Sequence, residues 1–299
     1  MRKKYKHLLM VKIEGLSWMT RKIMGCGENK KSIKEKMDAW IPRYLPASVL
    51  LKFMSLTSYI YKVSDEMSGK HRLFNDARWK EHGFSAMDKS GCYIEHQKQL
   101  SFLRYGRHSD RLSKGLLGGV PLTGRENTCE VIAVYNCLFF LSKSTEKGYK
   151  CQKFDIRKTE TTGILASTEG FPELLEHFEK SGIALGGYFG TSPLAVENYL
   201  INKGFVVEML TGRQITGERL ANWQNRENAA YILTTYNDKN HLTRMIHTVC
   251  ITKEEDGFVI HNDYEGTKSY PSLAKAVYGY HLGQGKPIVV MLVKEVTNG

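Results

Sequence analysis

A thiol at the start of a buried helix is the first candidate for chemistry in this sequence. Cys129 heads an apolar run over residues 129–141, and the polar, turn-rich stretch Thr123-Gly124-Arg125-Glu126-Asn127-Thr128 leads into it. A helix N-terminus carries unpaired N–H groups and roughly half a positive charge, which favours thiolate over thiol. A thiolate so placed is a nucleophile, and it needs a base to take its proton.

The candidate base is His247. Residues 245–263 form two runs rich in β-branched residues around Glu255-Asp256-Gly257, which reads as a hairpin. His247 lies near the start of the first strand, and Asn262 and Asp263 end the second. Side chains alternate faces along a strand, so the loop length decides which of the two meets His247. A three-residue loop with Gly257 third pairs Glu254 with Phe258 and selects Asp263. A two-residue loop at Glu255-Asp256 selects Asn262. The first is favoured, and Asn262 stays as the alternative.

Cysteine at a helix start, His on a strand and Asn-Asp at the end of the next strand resemble the papain-like cysteine peptidases. The spacing of His247-Thr248-Val249 to Asn262-Asp263-Tyr264 is most similar to their bacteriocin-processing (double-glycine) branch. The resemblance covers roughly residues 115–299. It implies catalytic Cys129, His247 and Asp263, and a peptide or protein substrate. Two positions depart from the pattern: Thr123 stands where the family has Gln six residues before the Cys, and Glu130 where it has Gly after it. Asn127, with the Cys129 main-chain N–H, is then the candidate oxyanion donor.

The expected chemistry follows. His247 takes the Cys129 proton, Asp263 or Asn262 orients His247, and the thiolate attacks a peptide carbonyl. Water releases the acyl-enzyme; an amine in its place would make the protein an acyltransferase. A papain-like fold used only to bind peptides is the non-enzymatic alternative. No cofactor is implied, and no spacing such as Cys-x-x-Cys points to a metal. Cys137 and Asn136 read as core and structural hydrogen bond, and His241 and His261 as surface or sheet residues. Leu116-Leu117-Gly118-Gly119 is similar to the end of a double-glycine leader but reads as a loop.

The elements that must position these residues set an α+β expectation. It is a papain-like domain over 115–299 behind a basic, mainly helical region over 1–114. Of the 43 Lys+Arg and 31 Asp+Glu, residues 1–115 hold 24 and 11 and residues 116–299 hold 19 and 20, so the net charge of +12 is split +13 and −1. Helices are expected over 31–40, 50–61, 170–180 and 193–203, with breaks at Gly25–Gly27, Pro42, Pro46 and Gly69. Strands are expected over 205–210 and 229–236. The 41% apolar content fits a globular chain. Residues 5–23 could form a basic amphipathic helix on an anionic membrane, or simply pack on the chain's own domain. No nucleic-acid reader motif is present. With cysteines that read as those of a reducing compartment and no secretory signal, a cytoplasmic location is expected, with peripheral membrane contact as the alternative should residues 5–23 lie on a membrane.

Overall fold

The computed structural model describes residues 47–60, 62–89, 91–106, 123–143, 158–159, 163–164, 170–187, 190–237, 246–264, 266, 268–280 and 286–295. The chain divides into two compact units, Met1–Pro42 and Arg43–Gly299, and every described residue lies in the second. The amphipathic stretch 5–23, the helix expected over 31–40, the breaks at Gly25–Gly27, Pro42 and Pro46, the Gly118-Gly119 stretch and His241 all fall outside the described residues.

Eight helices are described: α1 (Ala47–Ile60), α2 (Asp65–His82), α3 (Gly124–Asn127), α4 (Cys129–Lys143), α5 (Gly170–Ser181), α6 (Pro193–Asn202), α7 (Gly217–Gln224) and α8 (Leu273–Gly279). The strands are β1 (Lys158–Thr159), β2 (Gly163–Ile164), β3 (Phe205–Thr211), β4 (Ala229–Tyr236), β5 (Ile246–Glu254), β6 (Gly257–His261), β7 (Lys268–Tyr270) and β8 (Pro287–Glu295). β1 and β2 pair with each other. The other six make an antiparallel sheet in the order β3-β8-β4-β5-β6-β7, so the architecture is α+β.

Alternation along the strands builds two layers on the sheet. Val249 and Ile251 of β5 join Tyr231, Leu233, Val290 and Leu292 in a core closed by Leu220 and Trp223 of α7 and by Leu273, Ala276 and Val277 of α8. The intervening residues Thr248, Cys250 and Thr252 face the other way, where α4 lies across β5 and β4. Pro193 at the first turn of α6 starts that helix as expected. Gly69 does not break the chain: α2 runs through it, capped by the Ser64 hydroxyl, which accepts from Met67 N at 3.3 Å. Tertiary packing outweighs the cost of one mid-helix glycine, about 1 kcal/mol.

The boundary expected at 114/115 falls between described segments, and the packing crosses it. α2 lies against α5, and α1 against α6 and the 3-10 turn Ala184–Gly187. His71 Nδ1 and the Gly106 N–H both reach Glu179 Oε1, at 2.8 and 2.7 Å. Residues 47–106 are therefore built into the same unit as the sheet.

Asn136 of α4 makes the structural bond expected of it, twice over. Its Oδ1 accepts from Ile94 N at 2.9 Å and its Nδ2 donates to Ile94 O at 3.0 Å. All these groups are buried. Asn136→Ala leaves a main-chain donor and acceptor without partners and is expected to destabilise the fold by roughly 2–4 kcal/mol. Urea unfolding checks it, and a loss below about 0.5 kcal/mol would mean that water replaces the side chain.

Candidate functional site

The loop into Cys129 is held by its own polar residues. Thr123 N–H donates to Glu126 Oε2 at 3.0 Å, closing the α3 turn. Thr128 takes the N-cap place before α4, since Ile132 N donates to Thr128 O at 2.9 Å. Thr123, at the position where the peptidase pattern has Gln, is thus a cap.

Cys129 is the first residue of α4, as expected, but it is only 5% exposed. Burial pushes its thiol well above the ordinary range, and the neighbouring Glu130 carboxylate pushes the same way. The Thr248 main-chain N–H, directed at the sulfur, works against both. Desolvation outweighs the helix terminus, so in this conformation Cys129 is a thiol and not the expected thiolate.

Glu130, which the sequence marked only as a departure, is a core member of the site. Its Oε2 accepts from Thr191 N at 3.2 Å, and its Oε1 from the Thr248 hydroxyl at 3.4 Å. Gly190, at φ 62°, lets the chain pass over this carboxylate, since a Cβ there would overlap both its oxygens. Burial pushes Glu130 up to about 7, against hydrogen bonds that lower it. A buried acid beside a thiol titrates near neutrality.

The hairpin register corrects the expectation for the third residue. Glu254 pairs with Gly257 and Cys250 with His261, so the turn is the two-residue Glu255-Asp256. Gly257 at φ 124° sits against the Tyr270 carbonyl, where no side chain fits, and this supplies the positive φ at the first strand residue instead of inside a three-residue loop. The partner selected is Asn262, and it acts through its main chain. Asn262 leaves the strand at φ 64°, and His247 Nε2 donates to its carbonyl at 3.2 Å. A carbonyl only accepts, so Nε2 carries a hydrogen.

Asp263 is buried beside them. The His247 ring lies 4.6 Å from Tyr264 and 6.3 Å from Tyr280, centroid to centroid. Tyr280, unmarked in the sequence, is held well above the ordinary tyrosine range by burial first and by the neighbouring Asp263 next; Cys129 lies close by. Cys129, His247, Asn262 and Asp263 thus converge on one end of β5. Among the described residues, however, no hydrogen bond joins Cys129 to His247; the strand residue against the thiol is Thr248.

Asn127 does not serve as the expected oxyanion donor here. Both hydrogens of its Nδ2 are committed, to Tyr105 O at 2.9 Å and Gly187 O at 3.2 Å, so it ties the loop to its neighbours. Cys137 is core, as expected, and lies against Cys250. Among the described residues, Cys92, Cys129, Cys137 and Cys250 are in no disulfide.

His261 is buried in a tie that sequence reasoning missed. Its Nδ1 meets Glu95 Oε1 at 2.6 Å and its Nε2 meets the Thr252 hydroxyl at 2.8 Å, with Tyr93 stacked 3.9 Å above the ring. Paired with Cys250, it lies on the α4 face of the sheet.

Among the described residues, no group of three or more His, Cys, Asp or Glu is placed to hold a metal, and no helix is long and apolar enough to cross a membrane. Comparison with protein-family models, curated proteins and solved structures gives no match.

Proposed function

We propose that the chain is a thiol-dependent hydrolase of the papain-like kind that cleaves a peptide or protein substrate. The observation that carries this reading is the convergence of Cys129, at a helix start, with His247 and the Asn262-Asp263 turn, at the end of β5. His247, placed by the contact of its Nε2 with Asn262 O, is the base that takes the Cys129 proton. The thiolate adds to the substrate carbonyl, and the leaving amine takes the proton from His247. The oxyanion of the tetrahedral intermediate is met by the Cys129 main-chain N–H at the start of α4, a contact of about 3 kcal/mol. Water then hydrolyses the thioester. Since Cys129 rests as a buried thiol, substrate must displace Glu130 or Thr248 from the sulfur before attack.

The same burial favours a second reading, a non-catalytic peptide-binding module. A diverse peptide library incubated with the full chain and read by mass spectrometry separates the two. The hydrolase reading expects cleavage that vanishes in Cys129→Ala and falls by about 10³-fold or more in His247→Ala. Peptides retained uncut by both proteins would establish the binding module. Cleavage surviving in Cys129→Ala would sink the thiol mechanism.

A further inference from the structure

The tyrosine ring beside His247 carries a lysine. Lys98 Nζ lies over the face of Tyr264, 5.0 Å from its centroid, and the Tyr264 ring lies 4.6 Å from that of His247. The ammonium is therefore no farther from the His247 ring than those two spacings end to end. An aromatic face attracts a cation, which holds an otherwise free side chain against the site. Lys98 is exposed and Tyr264 half-buried, so the charge stands at the mouth of the site and not within the fold. The main chain that bears Lys98 is held as well. Asn262 Nδ2 donates to Gln97 Oε1 at 3.0 Å, Gln97 N donates to Asn262 Oδ1 at 3.4 Å, and Gln97 Nε2 donates to Arg125 O at 3.1 Å, in the α3 turn that feeds Cys129. Lys98 thus starts from a backbone position tied to both halves of the proposed site. The carboxylates of these two segments have partners of their own: Glu126 faces Arg125 at 3.9 Å, and Glu95 meets His261 at 2.6 Å. Asp263 and Glu130 are buried. Lys98 is in no ion pair among the described residues, so its charge is open to a ligand.

From this placement we propose that Lys98 is a specificity-determining residue: it gives the mouth of the site a fixed positive charge that selects a peptide with Asp or Glu close to the bond to be cut, on the leaving-amine side. The side follows from the chemistry. His247 returns its proton to the leaving amine, so the groups around His247 face that half of the substrate. A cation at an exposed rim draws an acidic peptide in and weakens in salt, because exposed charges are screened. The choice of substrate rests on the hydrolase reading above, whereas the charge at the mouth does not.

The test needs no substrate. Iodoacetate and iodoacetamide alkylate the same sulfur and differ by a carboxylate in place of an amide. The ratio of their rates at Cys129, read by mass spectrometry on the full chain, therefore reports the charge at the mouth, while access to the thiol cancels. At low salt, Lys98→Gln is expected to lower the iodoacetate-to-iodoacetamide ratio about threefold and Lys98→Glu about tenfold, with Lys98→Arg close to the parent. Most of the difference is expected to vanish at about 0.5 M salt. A ratio that is the same in the parent and in Lys98→Glu overturns the proposal, and so does a Cys129 that neither reagent reaches in the native chain. Cleavage of a peptide library by the same proteins separates the two claims. Bonds cut by the parent are expected to be enriched in Asp and Glu on the leaving-amine side, and the enrichment is expected to be lost in Lys98→Glu. A ratio that depends on Lys98 with no peptide cut keeps the cationic mouth and removes the hydrolase reading. Cleavage without acidic preference keeps the hydrolase and removes the role of Lys98 in choosing its substrate.

Discussion

A chain that begins at Lys114 is expected not to fold, whereas one that begins at Arg43 is expected to melt like the full protein. The first cut removes Leu50, Met54, Trp79, Ile94, Leu100, Leu103 and Tyr105, all buried. At roughly 1.5–3 kcal/mol for each side chain removed from water, the loss is on the order of 10–20 kcal/mol, as large as the whole stability of a typical domain. It also strips partners from polar groups that stay buried: Glu179 loses His71 and the Gly106 N–H, Asn136 loses Ile94, and the Asn262 N–H loses Glu95. Each loss costs roughly a further 1–3 kcal/mol. The second cut falls at the border between the two compact units and takes none of these contacts. Thermal melts followed by far-ultraviolet circular dichroism check both. A Lys114 chain that unfolds cooperatively within a few degrees of the full protein would mean that residues 47–106 only decorate a self-sufficient sheet domain.

The sequence misplaces that boundary because charge reports solvated faces and says little about what lies beneath them. α1 is legible from its apolar residues and α6 from its Pro193 start, and the runs of β3, β4 and β5 stand out by their β-branched content. α8 and β8 went unread, although β8 sits between β3 and β4 at the middle of the sheet. In the site, Cys129, His247 and the Asn262-Asp263 pair are visible because helix starts and strand ends leave local marks. Their supports are not. Glu95 meets His261 across 166 residues of chain and Gln97 meets Asn262 across 165, and no period or motif connects positions so far apart. The register error has a simpler source. Gly257 suits either turn length, and only the Tyr270 carbonyl packed against it shows that it opens β6.

Glu130 should make the protein less stable as the pH rises from about 5 to 8, and Glu130→Gln should remove most of that slope. In the unfolded chain this carboxyl gives up its proton near its ordinary value of 4.5; in the folded protein, burial holds the proton on until about 7. Between those values the folded state binds more protons than the unfolded, so stability falls with pH, and above about 7 the loss is complete and constant. A gap of some two and a half pH units corresponds to about 3 kcal/mol. Glutamine keeps an oxygen for the Thr191 N–H and carries no charge to desolvate. Urea unfolding of both proteins at several pH values gives the comparison, with the variant expected to gain on the parent by about 3 kcal/mol from pH 5 to pH 8. The same substitution bears on the thiol. Ionised Glu130 disfavours the Cys129 thiolate, so iodoacetamide should alkylate Cys129 faster in Glu130→Gln than in the parent at pH 8, and the two rates should converge near pH 5, where Glu130 is already neutral. Parallel stability curves would mean that Glu130 ionises freely in the folded protein, through water reaching the Thr191–Thr248 pocket. A slower alkylation in the variant would mean that Glu130 draws the proton from Cys129, and the proposed base would then have to be Glu130 in place of His247.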